Sequence, residues 1–180
     1  LAAEHRRLAD RFCSPQLSEK ISAKKHPTNH KKLRIGYMSG DFATHSVSYF
    51  FEPILRAHDQ RNFEIICYSN RALADETTQR IKELSVAWRD TLGVPAKVVA
   101  EWIVADEIDL LVDLAGHSAG HRLDVMALRP AQVQCSWIGY PHSTGLAEID
   151  YYITDAWCDP PGMTEHLYSE QLWRLPRVFS

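Results

Sequence analysis

The sequence predicts an α/β fold built on a mostly parallel sheet. Three observations carry that expectation. Short apolar runs recur along the chain, segments with helical periodicity lie between them, and polar glycine-containing stretches follow three of the runs. The run at 108–114, IDLLVDL, is almost continuously apolar, as a strand buried on both faces requires. Strand–helix–strand alternation implies right-handed crossovers, which gather the loops after the strands on one edge of the sheet.

Taken in order, residues 1–13 (LAAEHRRLADRFC) place Leu1, Leu8 and Phe12 on one helical face with Ala9 beside them, and Ser14-Pro15 ends that helix. This segment is expected to be the end of an upstream helical region. Residues 14–32 are expected to be a linker. Its basic part, 20–32, carries no interleaved aromatic residues, which favours a solvated segment over a nucleic-acid patch. Residues 33–180 form the main unit.

Within it, 33–38 (LRIGYM) fits a buried strand, and Ser39-Gly40-Asp41 is a turn signal. Ser46 or Ser48 is expected to cap the next helix. Val47, Phe50, Phe51, Ile54, Leu55 and His58 recur at helical spacing, with Pro53 expected to kink the helix or postpone its regular part. A strand at 62–68, a helix at 75–84 and a short strand at 88–92 follow. Pro95 opens a helix to about Ala105, with Val98, Val99, Trp102 and Ile103 as its buried face. After the strand at 108–114 come a small loop at 115–121, a helix from about Arg122 to Leu128, and a strand at 131–140 that ends in GYPHSTG. DYYIT at 150–154 is expected to be the last strand before the proline-rich loop at 159–162.

Composition narrows the function classes. Hydrophobic residues at 45% and charged residues at 24% describe an ordinary globular chain, and a net charge of −3 offers no electrostatic case for nucleic acid or an anionic membrane. No apolar run reaches the roughly 18 residues of a membrane span, and no secretory signal is visible. Cys13, Cys67, Cys135 and Cys158 are scattered without a C-x-x-C pair, so buried thiols in a reducing, cytoplasmic setting are expected. An opening without Met and an end without a polar tail are those expected of a piece of a longer protein.

Chemistry concentrates in the loops after the strands. Asp41 and His45 lie between a strand and a helix start, where an imidazole meets the positive end of the helix dipole and can serve as a base or a substrate anchor. A histidine that only caps its own helix is the plain alternative. His117 and His121, with Asp113, have a spacing that could ligate zinc, but Gly116 and Gly120 make poor helix and loop histidines are favoured. No Gly-x-Ser-x-Gly elbow supports Ser118 or Ser143 as a nucleophile, and no Gly-x-Gly-x-x-Gly or P-loop pattern is present. What remains is a sugar, phosphate or peptide site made of backbone amides and a few side chains.

The segments LRIGYMSGDFATHS, FEIICYSN, IDLLVDLAGHSAGHRLD, ALRPAQVQCSWIGYPHSTGL, IDYYITD and YSEQLWRLPRVFS, in that order, resemble the catalytic region of the protein O-linked N-acetylglucosamine transferases and the related SPINDLY-type proteins. The resemblance covers almost the whole chain. It implies a Rossmann-like sheet, the amino-terminal lobe of a GT-B glycosyltransferase, preceded by tetratricopeptide repeats and completed by a carboxyl-terminal lobe that holds most of the nucleotide. It implies a nucleotide-sugar donor such as UDP-GlcNAc, Ser/Thr acceptors on proteins, no metal and no cofactor. By motif, His45 and Asp41 match the catalytic histidine and the aspartate of a proton relay. Ile138, Gly139 and Pro141 match the loop against the donor sugar, and Arg122 matches a basic residue after the glycine loop. Two departures bear on the donor: Val47 stands where relatives carry threonine, and His142 where they carry glycine. Fucosyl or glucosyl transfer, or a non-catalytic protein-binding role, are the alternatives.

Overall fold

In a computed structural model of the chain, which describes residues 1–12 and 31–178, the strands are β1 (Leu33–Ser39), β2 (Phe63–Ser69), β3 (Ala87–Asp90), β4 (Leu110–Asp113), β5 (Val133–Trp137), β6 (Tyr151–Asp155) and β7 (Gln171–Leu175). The helices are α1 (Ala2–Phe12), α2 (Ser46–Ala57), α3 (Glu76–Leu84), α4 (Ala96–Ala105) and the single turn α5 (Leu123–Met126). All seven strands pair in parallel, in the order β3-β2-β1-β4-β5-β6-β7. The chain therefore reverses its direction of winding between β1 and β4. In open α/β sheets the crevice at that switch point, beyond the carboxyl ends of the strands, is where ligands bind.

Period-two alternation splits the core into two layers. Ile35 and Tyr37 of β1, Ile65 and Cys67 of β2 and Val112 of β4 pack with Val47, Phe51 and Leu55 of α2 and Ile81 of α3. Met38, Ile66, Tyr68 and Leu111 point the other way, onto Val99, Ala100 and Ile103 of α4, Leu123, Val125 and Met126 of α5, and Ala9 of α1. Gly36 lies on this second face, where a Cβ would meet Leu111, Tyr68 and Ile108 side chains at 3.0–3.2 Å. On the α2 and α3 side, no helix among the described residues covers the half of the sheet beyond β1. Leu110, Val133, Cys135, Tyr151, Ile153, Trp173 and Leu175 there line an apolar groove of about 290 Å³.

Several expectations change. DYYIT is not the last strand: Gln171–Leu175 adds β7, whose charged Arg174 and exposed Trp173 mark it as a sheet edge. The helix expected at 122–128 is one turn, because the chain leaves it through Arg129 in the left-handed region (φ 51°) ahead of Pro130. In α1 the buried residues are His5 and Ala9, while Leu8 and the preceding Leu1 are exposed. In α2 the buried stripe is Val47, Phe51 and Leu55, an i, i+4, i+8 row, and Phe50 and Ile54 face outward. The helix continues through Pro53 as one element. Of the α4 face, Val99 and Ile103 are buried, whereas Val98 and Trp102 are half-buried. The Ser14-Pro15 helix stop, Cys13 and the linker as far as residue 30 lie outside the described residues.

Candidate functional site

The loops after β1, β4 and β5 meet at the carboxyl edge, with β1 and β4 flanking the switch point. Glycine makes the meeting possible. A Cβ on Gly40 would stand 3.0 Å from the Gly120 carbonyl oxygen, one on Gly116 would overlap Tyr140, and one on Gly139 would overlap the Leu114 carbonyl. Asn70, after β2, completes the join: its backbone N–H donates to the Ser39 carbonyl (2.9 Å) and its side-chain amide to the Gly120 carbonyl (3.0 Å).

The 40–45 loop is held from both sides. The Asp41 N–H donates to Ser39 Oγ at 2.9 Å, and Ser48 Oγ donates to the Asp41 carbonyl at 2.8 Å. On the α3 side, Asp75 caps its own helix by accepting from the Thr78 N–H while its other oxygen accepts from the Thr44 N–H at 2.8 Å. These two backbone donors hold the Asp75 carboxyl well below the usual carboxylate range. Thr78 Oγ1 reaches the Phe42 carbonyl at 2.7 Å, and Phe42 is fully buried on Phe51 with ring centroids 5.4 Å apart. The loop is thus pinned to the scaffold at its base, which leaves its outer side chains free to face a ligand.

His45, not Ser46 or Ser48, is the N-cap of α2: its Nδ1 accepts from the Val47 N–H at 3.3 Å. Asp41 Oδ2 lies 3.8 Å from the same nitrogen. A neutral ring accepting at Nδ1 carries its proton on Nε2, so in this rotamer the outward nitrogen is a hydrogen-bond donor. For Nε2 to accept a proton, Nδ1–H must instead be held by Asp41, which requires the 3.8 Å gap to close. The capping and chemical roles of His45 therefore share one atom. Its side chain is 46% exposed and that of Asp41 17%.

Across the edge, β5 ends in a strained turn. Ile138 has φ 63°, a β-branched side chain in the left-handed region, and the Gly139 N–H donates to the Trp137 carbonyl at 2.8 Å. That is a γ-turn, whose left-handed form is rare and costly. Strain of this kind persists where surroundings over-determine it, and it clusters at ligand sites. Here the overdetermination is visible: Tyr152 donates its hydroxyl to the Tyr140 carbonyl (2.6 Å), and Glu170, buried at the start of β7, accepts from Ser143 Oγ (2.7 Å), Thr144 N–H (2.7 Å) and Thr144 Oγ1. Pro141 is exposed at the tip.

The remaining candidate residues sit elsewhere in this architecture. Arg122 is 6% exposed, and its guanidinium donates to the carbonyls of Thr91 (2.8 Å) and Val94 (3.0 Å) and to Asp124, tying α5 to the β3–α4 loop. Val47 is buried in the core beneath α2, so threonine at that position would meet core atoms. His142 stacks on Tyr168 (5.6 Å, 21°). Asp113 is fully buried and accepts from the Ala115 and Gly116 N–H groups and Ser136 Oγ. The zinc arrangement of Asp113, His117 and His121 does not form, and no group of three or more metal-ligating side chains occurs among the described residues. Desolvation nevertheless raises Asp113 above the usual carboxylate range.

Asp113→Ala would orphan three buried donors while relieving that desolvation. A net loss of about 3 kcal/mol is expected, with Asp113→Asn milder because the amide keeps one acceptor; urea unfolding of the two variants checks the order. A second expectation concerns pH. Burial is the main cause that lowers His5, His58 and His121 from the ordinary 6.5, with the His117 and His142 charges adding to it at His5. The unfolded chain then takes up protons first as pH falls below 6.5, so their contribution to stability is full above 6.5 and lost on acidification. Asp113 acts in the opposite sense, so the informative quantity is a difference. Between pH 7.5 and 5.5, His58→Phe should flatten the fall in unfolding free energy relative to wild type; equal slopes would contradict the assignment.

Sequence reasoning passed over His5, Tyr140, Asp75 and Glu170. Signals existed for two of them: Asp75-x-x-Thr78 is a capping pattern, and His5 shares the i, i+4, i+7 row of Ala9 and Phe12. Glu170 had none, since its partners Ser143 and Thr144 are 26 or 27 positions away.

Fold and site together define a Rossmann-like α/β domain whose candidate site lies at the carboxyl edge of an all-parallel sheet. Comparison then fixes the family: the Glycosyl transferase family 41 profile matches residues 13–180, and the chain belongs to that family. It is 46% identical over 153 residues to a rice protein described as probable UDP-N-acetylglucosamine--peptide N-acetylglucosaminyltransferase SPINDLY, covering 83% of this chain and 16% of that protein. Against the Arabidopsis thaliana protein of the corresponding description named SEC, identity is 33% over 174 residues, 96% of this chain and 18% of the other. A solved mutant of Thermobaculum terrenum O-GlcNAc transferase superposes with a TM-score of 0.86 at 37% identity, over 99% of this chain and 34% of that one. The chain thus spans about a sixth of the first two relatives' length and a third of the third.

Proposed function

We propose that this chain is the amino-terminal catalytic lobe of a GT-B protein O-glycosyltransferase, an inverting enzyme that moves N-acetylglucosamine from UDP-GlcNAc to Ser or Thr hydroxyls of protein acceptors. The observation that carries the proposal is the placement of Asp41 and His45 after β1 and of the strained 138–141 turn after β5, on either side of β4 at the carboxyl edge of a family 41 sheet. The acceptor hydroxyl attacks the anomeric carbon as the nucleoside diphosphate leaves, and the rate comes from holding both in line and stabilising charge on the departing phosphate. His45 Nε2 serves the acceptor or sugar side, with Asp41 as its partner at Nδ1. The backbone of Ile138, Gly139 and Pro141 forms the rigid wall for the sugar. A carboxyl-terminal lobe supplies the nucleotide contacts and upstream tetratricopeptide repeats the acceptor contacts, so the 180-residue chain alone is expected to be inactive. The cytoplasm is the proposed compartment. Among the described residues Cys67, Cys135 and Cys158 are free thiols, and no helix is long and apolar enough to cross a membrane.

A different donor sugar, fucose or glucose, is the second reading. It is favoured by His142, a ring beside the donor turn at a position where the resemblance to the family implies glycine. Incubating the full-length protein with UDP-GlcNAc, UDP-glucose or GDP-fucose and an acceptor protein mixture decides between the two. N-acetylhexosamine on Ser or Thr supports the first reading; deoxyhexose or hexose alone supports the second; no transfer from any donor overturns both.

A further inference from the structure

A second cluster of ring nitrogens sits where α1 meets the sheet edge, outside the Asp41–His45 pair. His5 is 3% exposed, and its Nε2 lies 3.0 Å from the Tyr140 hydroxyl. Its ring stacks on His117 (4.6 Å, 18°) and meets His142 edge-on at 5.2 Å. His117 is itself fixed by an Nε2 hydrogen bond to the Thr144 carbonyl at 2.8 Å. The backbone closes in as well, for a Cβ on Gly145 would stand 2.5 Å from the His5 carbonyl carbon. His5 Nδ1, although buried, has no hydrogen-bond partner among the described residues.

A buried polar atom without a partner calls for a reason, because an apolar ring of the same shape would fill this space at lower cost. The one hydrogen bond that the ring does make shows what the reason is. Tyr140 lies between Gly139 and Pro141, so its hydroxyl is the handle of the turn that begins at Ile138. The strained φ of Ile138 must be held by its surroundings. Tyr152 holds Tyr140 at its carbonyl, Gly116 leaves room for its Cβ, and His5 holds the far end of its ring.

We propose that His5 is a positioning residue for sugar transfer: by holding the Tyr140 hydroxyl it fixes the 138–141 turn in its donor-facing shape, and it makes that shape depend on how α1 is seated. The inference rests on the function proposed above. His5 touches neither substrate; it acts through Tyr140, and its loss weakens the binding of the donor more than the chemical step. The helix α1 is then a working part of the site, connected to it by the His5–Tyr140 hydrogen bond and by ring contacts of His5 with His117, Tyr140 and His142.

The test is steady-state kinetics of the full-length protein with the donor varied, using Tyr140→Phe, His5→Asn, His5→Gln and the His5→Asn/Tyr140→Phe double variant. Tyr140→Phe removes a single oxygen and leaves the packing in place. Donor KM should rise about tenfold in Tyr140→Phe and His5→Asn while kcat stays within about threefold. His5→Gln, whose amide extends to the position of Nε2, should return KM to within about threefold of wild type. The double variant should be no worse than the single ones, as expected of two residues acting as a unit. An unchanged KM in Tyr140→Phe, or additive losses in the double variant, overturns the inference while leaving the functional assignment standing if wild type transfers sugar. Absence of transfer by wild type overturns the assignment and the inference together.

Discussion

Gly139→Ala is expected to unfold the β5 edge of the domain, at a cost of more than about 3 kcal/mol. The added methyl would fall within the van der Waals envelope of the Leu114 carbonyl oxygen, a backbone atom at the end of β4 that cannot swing aside. Leu114 is locked in turn, since its N–H donates to the Met38 carbonyl at 2.9 Å. Relief would have to come from the turn itself, which already carries Ile138 in the left-handed region. The same methyl at Gly93 meets nothing within 4 Å, although its positive φ (72°) still strains an L-residue, so Gly93→Ala is a control for strain without overlap. Thermal or urea unfolding should show a large loss for Gly139→Ala and a loss of about 1 kcal/mol for Gly93→Ala. Comparable losses would show that the close approach of β4 and β5 is softer than the structure has it.

The second large effect is on activity. His45→Ala should lower sugar transfer by the full-length protein about 100-fold or more, the usual scale for a positioned imidazole. That variant also removes the N-cap of α2, so a stability loss could imitate a chemical one. His45→Asn separates the two. Asparagine is a strong N-cap and can accept from the Val47 N–H, but it has nothing at the position of Nε2. An Asn variant with wild-type unfolding behaviour and the same loss of transfer places the effect at Nε2. Restored transfer in the Asn variant would reduce His45 to a cap, the plain role open to it from the start.

How far the sequence carried depended on the range of the interaction. The strands and most helices were legible because their signals are local: apolar runs bounded by turn residues, and Pro95 before α4. The strand at 171–175 was missed because QLWRL alternates polar and apolar residues and lies on an edge, so it lacks the continuous apolar run of β4. Leu8, Phe50 and Ile54 were assigned to core faces by periodicity, yet which of two adjacent stripes is buried depends on the partner surface, and the sheet accepted the Val47 and His5 rows. Asp41, His45 and the 138–141 loop were found through the resemblance and through their positions after strands. Their geometry was not legible. Self-capping by His45, a contact across two residues, was open from the sequence as the plain alternative, whereas the strain at Ile138 is a single backbone angle and the bonds of Arg122 to the β3–α4 loop span about 30 residues.

In the function proposed here, the β1 and β5 loops form one wall of a donor and acceptor site. The structure of the full-length protein with a nucleotide sugar and an acceptor peptide bound tests it most directly. The sugar ring is expected against the backbone of Ile138, Gly139 and Pro141, with His45 Nε2 in hydrogen-bond reach of the acceptor hydroxyl or the sugar and Asp41 drawn towards Nδ1 from its present 3.8 Å. A sugar seated away from the carboxyl ends of β1 and β5, with His45 still bonded only to the Val47 N–H, would contradict it.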